Sequence, residues 1–275
     1  MTTVIEVPKK ESSPKVKKAR DWVHRITLVM AVFLPVFFMV AALGSKFGLW
    51  SWMTGLGLSR GLGMKLIIAT LGLGVISVVL YLFVKPRKGW WIAALAVAMA
   101  LGFIVKGASV KNTADSLPFI HDVTTDTQNP PTFSEIIIQQ RAKVKGVNTL
   151  DYIGKTAPAG DDRKSKELVS VLQAKAYPTI RPLVVSDSPD VAFGEALARV
   201  KSMGWDIAYS DPAKGQIDAT ATTFWYGFKD DVTVRIKPSE GGGSLIDVRS
   251  VSRVGGSDLG ANAARVEAFL KKMSE

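Results

Sequence analysis

The chain has 275 residues, no cysteine and a formal net charge of +11 at pH 7. The absence of cysteine excludes a disulfide framework, thiol chemistry and cysteine-based zinc or iron–sulfur sites. The charge is unevenly divided, with 14 Lys/Arg against 3 Asp/Glu up to residue 106, and 21 against 21 after it. Because the basic excess belongs to the N-terminal part alone, we expect no nucleic-acid partner.

Three long apolar runs occupy that N-terminal part, at 26–44, 66–84 and 90–105. A helix needs about 20 apolar residues to cross the hydrocarbon core of a bilayer, so the first two runs are long enough and the third is slightly short. None of the runs contains Asp, Glu, His or Arg, which transport and proton-relay pathways usually require. The pattern predicts a three-helix membrane anchor over 26–106, preceded by a basic tail over 1–25.

The basic residues beside these runs predict the orientation of the anchor. Seven basic residues precede the first run: Lys9, Lys10, Lys15, Lys17, Lys18, Arg20 and Arg25. The short turn between the second and third runs carries three: Lys85, Arg87 and Lys88. The longer first loop, at about 45–65, also carries only three: Lys46, Arg60 and Lys65. The positive-inside rule then places the N-terminus and the 85–89 turn in the cytoplasm.

Three crossings would put the C-terminal domain in the periplasm, on a bacterial inner membrane. If 90–105 did not cross, the domain would stay cytoplasmic. Trp90, Trp91 and Lys106 at the ends of that run favour a crossing, because such residues anchor helices at membrane interfaces.

The remainder divides into a leading segment, 107–178, and a C-terminal region, 179–275. The leading segment is rich in turn formers and carries plausible helices near 134–143 and 163–175. The C-terminal region predicts the order β-α-β-β-β-β-α, because alternating apolar residues mark strands and a period of 3.6 marks helices. Short connections favour an α+β domain with an antiparallel sheet of 4–5 strands and two helices packed on one face.

Three motifs in this part resemble a known family. They are His-Asp-Val-Thr-Thr-Asp-Thr-Gln-Asn-Pro-Pro at 121–131, Phe-Lys-Asp-Asp-Val-Thr-Val-Arg at 228–235, and the stretch 247–265 with its Arg-Val-Gly-Gly-Ser-Asp-Leu-Gly turn. Over about 115–272 the chain resembles the bacterial and chloroplast family called domain of unknown function 1499. The resemblance implies a protein of the cell envelope or linked to a membrane, and supplies no mechanism.

Charged residues alternate with apolar ones on the last two predicted strands. Asp231 and Arg235 on one strand, and Asp247, Arg249 and Arg253 on its hairpin partner, face away from the predicted core. With both helices on the other side, these side chains would lie on an open face of the sheet. They could bind a carboxylate or phosphate through forked arginines, or form exposed cross-strand ion pairs.

The turn at 253–260 leads from a strand into the last helix, where backbone N–H groups could bind an anion. It is neither a Walker A loop nor a dinucleotide fingerprint. Asp258 would repel an anion there, so capping of the helix is the favoured interpretation. Asn262 and Arg265 are expected to tie this turn to neighbouring loops.

His121 is the only histidine after residue 106. One histidine does not make a metal site, and the carboxylates Asp122, Asp126, Asp230 and Asp231 lack metal-ligand spacing, so we expect no metal and no cofactor. Two functions stay open. One is a non-catalytic envelope module for binding or scaffolding, with membrane lipid and an envelope protein, lipid headgroup or glycan as partners. The other is an envelope hydrolase or transferase using His121 with a serine or aspartate.

Overall fold

A computed structural model of the chain describes residues 12–160 and 163–275. Residues 1–11 of the predicted basic tail, with Lys9 and Lys10, lie outside the described part. The chain divides into two compact units, 1–110 and 111–275.

The N-terminal unit is helical. Its helices are α1 (Pro14–Lys46), α2 (Trp52–Arg60), α3 (Leu62–Phe83) and α4 (Trp90–Ser116), the last of which runs on into the second unit. Three stretches are long and apolar enough to cross a membrane, namely α1, the 32 residues Trp52–Phe83, and α4. The protein is therefore a membrane protein with the predicted three apolar helices. The segment expected as the first loop contains α2. The helix that contains the third run is longer than the run itself, because it continues through polar residues to 27 residues in all.

Polar side chains of α1 are satisfied by backbone carbonyls within this unit. Thr27 Oγ1 donates to Val23 O at 2.9 Å and to Leu73 O of α3 at 3.2 Å. Arg20 donates to Val84 O at 3.0 Å and Pro86 O at 2.7 Å, so this tail residue holds the connection between α3 and α4. Pairing these groups inside the unit removes the cost of leaving them unsatisfied in a low-dielectric surrounding.

In its described residues the second unit contains eight strands and four further helices. The strands are β1 (Asp122–Thr124), β2 (Thr156–Ala159), β3 (Ser165–Leu168), β4 (Leu183–Val185), β5 (Asp206–Asp211), β6 (Gln216–Thr222), β7 (Lys229–Pro238) and β8 (Ser244–Ser252). The helices are α5 (Glu135–Ala142), α6 (Val169–Ala176), α7 (Pro189–Ser202) and α8 (Ala261–Met273). After residue 179 the order is the predicted β-α-β-β-β-β-α.

The main sheet is antiparallel throughout, as predicted, in the order β1-β8-β7-β6-β5, and β4 pairs with β8 beside β1. One face carries the apolar core, where Val232 and Val234 of β7 and Val248 of β8 pack with Val200 of α7 and Phe269 of α8. Both α7 and α8 cover this face, which confirms the predicted arrangement of two helices. Strands β2 and β3 form a separate antiparallel pair, and β3 occupies the first part of the helix expected over 163–175, so that this helix, α6, begins only at Val169.

The opposite face of the sheet is not open, so that part of the prediction is wrong. The leading segment folds across it, and Phe133 and Ile137 pack on Val251 of β8. Its first part, expected to form turns, contributes β1, which pairs Asp122 with Val251 and Thr124 with Arg249. The five charged residues assigned to the open face are therefore covered. Asp231, Asp247, Arg249 and Arg253 are buried, and the side chain of Arg235 is 16% exposed.

Candidate functional site

Arg249 of β8 is fully engaged by the segment that covers the sheet. Its guanidinium donates two hydrogen bonds to Asp122 of β1, at 3.0 and 2.8 Å, and further ones to Pro131 O at 3.2 Å and Leu150 O at 2.6 Å. The rings of Phe133 and Tyr152 also lie near it, each with its centroid 5.6 Å from the guanidinium carbon. Each nitrogen of this guanidinium therefore donates a hydrogen bond within the chain, and none is left to bind a ligand.

Asp231 of β7 is the centre of a second buried cluster. Arg253 approaches it through Nε and Nη2, the shortest distance being 2.7 Å, and Arg141 of α5 donates to its other oxygen at 2.7 Å. Thr220 Oγ1 lies 2.9 Å from the same carboxylate. Two cations around one carboxylate leave a positive excess, and burial lowers the pKa of Arg141 while Asp231 raises it.

A third pair lies toward the rim of the covered face. Arg235 donates to Asp247 at 3.0 and 2.6 Å and reaches Asp126 at 3.3 Å and Asn129 O at 2.9 Å. Thr125 donates to the remaining oxygen of Asp247 at 3.2 Å. These bonds fasten the loop after β1 onto the sheet, so the interpretation of this cluster as exposed cross-strand pairs is also wrong.

The turn before α8 is likewise satisfied internally. Asp258 accepts from the backbone N–H groups of Gly260 at 2.9 Å and Asn262 at 2.8 Å, as the capping interpretation expects. Asn262 donates to His121 O at 3.0 Å, and Arg265 donates to Asp230 at 2.7 Å. Burial raises the pKa of Asp258, and the two backbone donors oppose that shift.

A cavity of about 160 Å³ lies beside β1, where the predicted residue His121 meets a residue that sequence reasoning missed, Lys155. The other lining residues are Phe119, Ile120, Asp122, Thr156, Ala157, Pro158, Val169 and Gly256. His121 Nδ1 and Lys155 Nζ are both buried and make no hydrogen bond. Most buried polar atoms in proteins are paired, so two unpaired nitrogens at one cavity are the strongest sign of a ligand site in the described residues.

The electrostatics of this cavity follow from burial. Burial, with help from the charge of Lys155, lowers the pKa of His121 to about 4, so its imidazole is neutral at pH 7. Burial also lowers the pKa of Lys155, while Asp122 raises it and Arg249 lowers it. The carboxylate of Asp122 is already shared with Arg249, so the ammonium group of Lys155 has no anion of its own.

A smaller and more open cavity of about 140 Å³ lies at Arg253, with Gln140, Thr220 and Lys229 among its walls. Gln140 accepts a hydrogen bond from Arg253 at 2.9 Å, and Nε and Nη2 of Arg253 also donate to the Asp231 carboxylate. The structure therefore does not bring the predicted arginines together as one binding surface. It distributes them over separate clusters in which each arginine is paired with a carboxylate. Within the described residues no group of three or more His, Cys, Asp or Glu could hold a metal ion.

Some of the residues that matter here carried a signal in the sequence and others did not. Arg141 follows Ile137 by one helical turn, so a shared buried face was readable from the spacing. Gln173 of α6 bonds both the N–H and the C=O of Thr124, at 3.0 and 2.7 Å, and so replaces a neighbouring strand at the edge of β1. Neither Gln173 nor Lys155 lies in a pattern that points to these roles.

Residues 122–273 match the family model described as protein of unknown function (DUF1499), which is more than half of the chain. No curated protein matches the chain.

The pairing of Arg249 with Asp122 predicts a large effect on stability. Arg249→Met leaves the Asp122 carboxylate buried without its cation, which should lower the free energy of unfolding by roughly 3–5 kcal/mol. Adding Asp122→Leu removes the unpaired charge and should restore much of the loss. Urea unfolding of the full chain in detergent, followed by near-UV circular dichroism, measures both. Arg181→Met, at an exposed arginine, is the control and should stay within about 0.5 kcal/mol of the parent. Equal effects of Arg249→Met and Arg181→Met would contradict the pairing.

The buried imidazole of His121 predicts a specific dependence of stability on pH. Between pH 6.5 and about 4 the unfolded chain binds a proton at His121 and the folded chain does not. Stability should therefore fall as the pH drops through this window, by at most roughly 3 kcal/mol from this residue. His121→Gln removes this component and leaves the contribution of the carboxylates and of His24. Identical pH profiles of parent and variant, from the same urea experiment, would show that His121 titrates normally in the fold.

Proposed function

We propose, from the premise that the chain belongs to the DUF1499 family of proteins of unknown function, that it is a non-catalytic binding module of the cell envelope. Its three apolar helices anchor it in the bacterial inner membrane, with the N-terminus in the cytoplasm and the C-terminal domain in the periplasm. The ligand site is the cavity between His121 and Lys155.

The placement is supported by the charges beside the apolar helices. Lys85, Arg87 and Lys88 lie between the end of α3 and the start of α4, and the basic residues of the tail precede the apolar part of α1. The positive-inside rule puts both groups on the cytoplasmic side. An odd number of crossings then carries the chain after α4 to the other side.

The single observation that carries the binding proposal is the pair of unpartnered nitrogens at the cavity. The other candidate cations, Arg235, Arg249, Arg253 and Arg265, all have carboxylate partners in the fold. Lys155 is an ammonium donor without an acceptor, so a ligand oxygen with negative charge would complete it. The surrounding walls are mostly apolar, which favours a carboxylate or phosphate on a short apolar group.

The size of the cavity narrows the ligand further. About 160 Å³ is well below the roughly 300–1,000 Å³ of sites for drug-sized molecules. A glycan chain would not enter it, whereas a small organic anion or the charged group of a lipid would. The proposal therefore assigns the anionic group itself to the cavity and leaves the rest of a larger ligand outside it.

The geometry does not favour the alternative of a hydrolase or transferase. A histidine base needs a hydroxyl or thiol within hydrogen-bonding distance and an acid that orients its ring. Within the described residues His121 Nδ1 makes no hydrogen bond, to the hydroxyl of Thr156 in the cavity wall or to any other group, no serine lines the cavity, and the adjacent Asp122 is bonded to Arg249. Asp230 accepts from Arg265, and Arg253 binds Asp231, so neither is available to act with His121.

Binding can be tested with defined anions. Titration calorimetry of the full chain in detergent against butyrate and against inorganic phosphate should show binding of one of them, which also identifies the anionic group. Lys155→Met should weaken that binding at least about tenfold, since a charge-assisted hydrogen bond contributes roughly 1.5–3 kcal/mol. The affinity should also fall as the pH rises through the lowered pKa of Lys155, because the ammonium form is the one that binds.

Lys166→Met is the matched control, because Lys166 is an exposed lysine on β3 outside the cavity. It should leave the affinity unchanged. The cavity assignment is wrong if neither anion binds, or if Lys155→Met and Lys166→Met have the same effect.

The topology has its own test. Alkaline phosphatase fused after Glu275 should be active in a bacterial host, since this reporter works only in the periplasm, and a green fluorescent protein fused there should be dark. Fusions after Lys88 should give the reverse result. An inactive phosphatase after Glu275 together with a fluorescent fusion would place the domain in the cytoplasm and overturn the proposed location.

A further inference from the structure

The loop between β6 and β7, at 223–228, exposes two neighbouring aromatic side chains. Phe224 is 66% exposed and Trp225 is 48% exposed, and their rings meet edge to face at 4.9 Å between centroids. Adjacent exposed aromatic residues are uncommon on soluble surfaces, and such apolar patches mark sites of contact with a partner or a membrane.

The loop holds these rings in a defined geometry. Thr223 N donates to Phe228 O at 2.8 Å, Phe228 N donates to Thr223 Oγ1 at 2.9 Å, and Thr223 Oγ1 donates to Trp225 O at 2.7 Å. Tyr226 and Gly227 take positive φ angles of 58° and 67°, which turn the chain back into β7. The aromatic tip is thus built by specific hydrogen bonds, so it presents Phe224 and Trp225 without further ordering of the backbone.

The strand register puts this loop at a particular end of the sheet. Thr222 of β6 lies opposite Lys229 of β7, Asp230 lies opposite Ser252 of β8, and Val251 lies opposite Asp122 at the start of β1. The loop therefore shares an end of the sheet with the residues that lead from α4 into β1. Strand β1 lies two strands from β7 and three from β6, and neighbouring strands are about 4.8 Å apart, so roughly 10–15 Å separate the start of β1 from the loop. We call this the aromatic end.

Exposed lysines accompany the aromatic residues. Lys229 directly follows the loop, and Lys143 and Lys145 precede Asn148, whose N–H bonds Arg253 O at the same end. Asp206, at the start of β5, is an exposed acid there. Exposed positive charge is therefore present at this end of the sheet, although residues 107–275 as a whole are neutral.

We propose that the aromatic end contacts the lipid bilayer that α4 crosses, with Phe224 and Trp225 inserted at the headgroup level and the lysines near anionic headgroups. Aromatic rings of this kind partition to membrane interfaces, and each nearby lysine adds attraction to an anionic surface. The polar stretch of α4 after residue 105 is only 11 residues long, so little of the chain separates the last apolar run from the residues that lead into β1. Because the apolar helices tether this unit to the bilayer, the effective concentration of lipid at the loop is high, and a weak affinity of the loop for lipid is enough to produce contact. This inference needs the apolar helices but not the anion-binding cavity.

The absence of cysteine allows a clean test with spin labels on the full chain. A nitroxide on Phe224→Cys is compared with one on Val191→Cys, after reconstitution into vesicles of phosphatidylcholine and phosphatidylglycerol. Val191 is half exposed on the first turn of α7, and this turn follows β4 at the opposite end of the sheet. Collision rates with oxygen and with a water-soluble nickel chelate report membrane depth.

The label at residue 224 should favour oxygen over the nickel chelate several-fold more than the label at residue 191. A label on Trp225→Cys should give the same result, which guards against a local change caused by either substitution. Equal ratios at residues 224 and 191 would overturn the proposal. Low collision rates with both reagents at residue 224 would also overturn it, because they would show that a second copy of the chain covers the loop.

Discussion

The buried ion pairs between the sheet and the segment that crosses it are the constraint on which the soluble unit depends. A buried guanidinium is tolerated only when its charge and its donors are matched, and removal of one partner leaves the other at high cost. Arg249 meets this requirement with Asp122, two carbonyls and two aromatic rings, all supplied by the leading segment. Without the leading segment, the buried charges of the sheet would lose their partners, so the sheet and this segment form one folding unit.

The same pairing positions the cavity. Asp122 is held by Arg249, and the preceding residue, His121, gives its carbonyl to Ser252 N and to Asn262 at the start of α8. These two hydrogen bonds to its carbonyl fix the backbone of His121 beside the cavity. Lys155 reaches the cavity from the turn before β2. The fold therefore holds both side chains at the cavity, in the arrangement that the proposed binding role uses.

The cavity and the aromatic loop lie at the same end of the sheet. Phe119 and Ile120 in the cavity wall belong to the connection from α4, and the loop at 223–228 closes the same end on the side of β6 and β7. A ligand with an anionic group and an apolar remainder would meet both features if it came from the bilayer. If the proposed contact with lipid forms, the neutral total charge of residues 107–275 makes it depend on local groups rather than on long-range attraction.

The sequence by itself determined what depends on local periodicity. Charge-free apolar runs of about 20 residues require helices long enough to cross a membrane, and alternation in 205–250 requires strands with one apolar face. It also carried the family motifs, because these are continuous. Alternation does not say whether the polar face of a strand meets water or another segment, since an arginine that is paired and buried occupies the same position as an exposed one. That choice depended on contacts between residues more than 100 positions apart, such as Arg249 with Asp122. Only the tertiary structure could therefore turn the expected open face into a covered one, make a strand of 122–124, and bring Lys155 to His121.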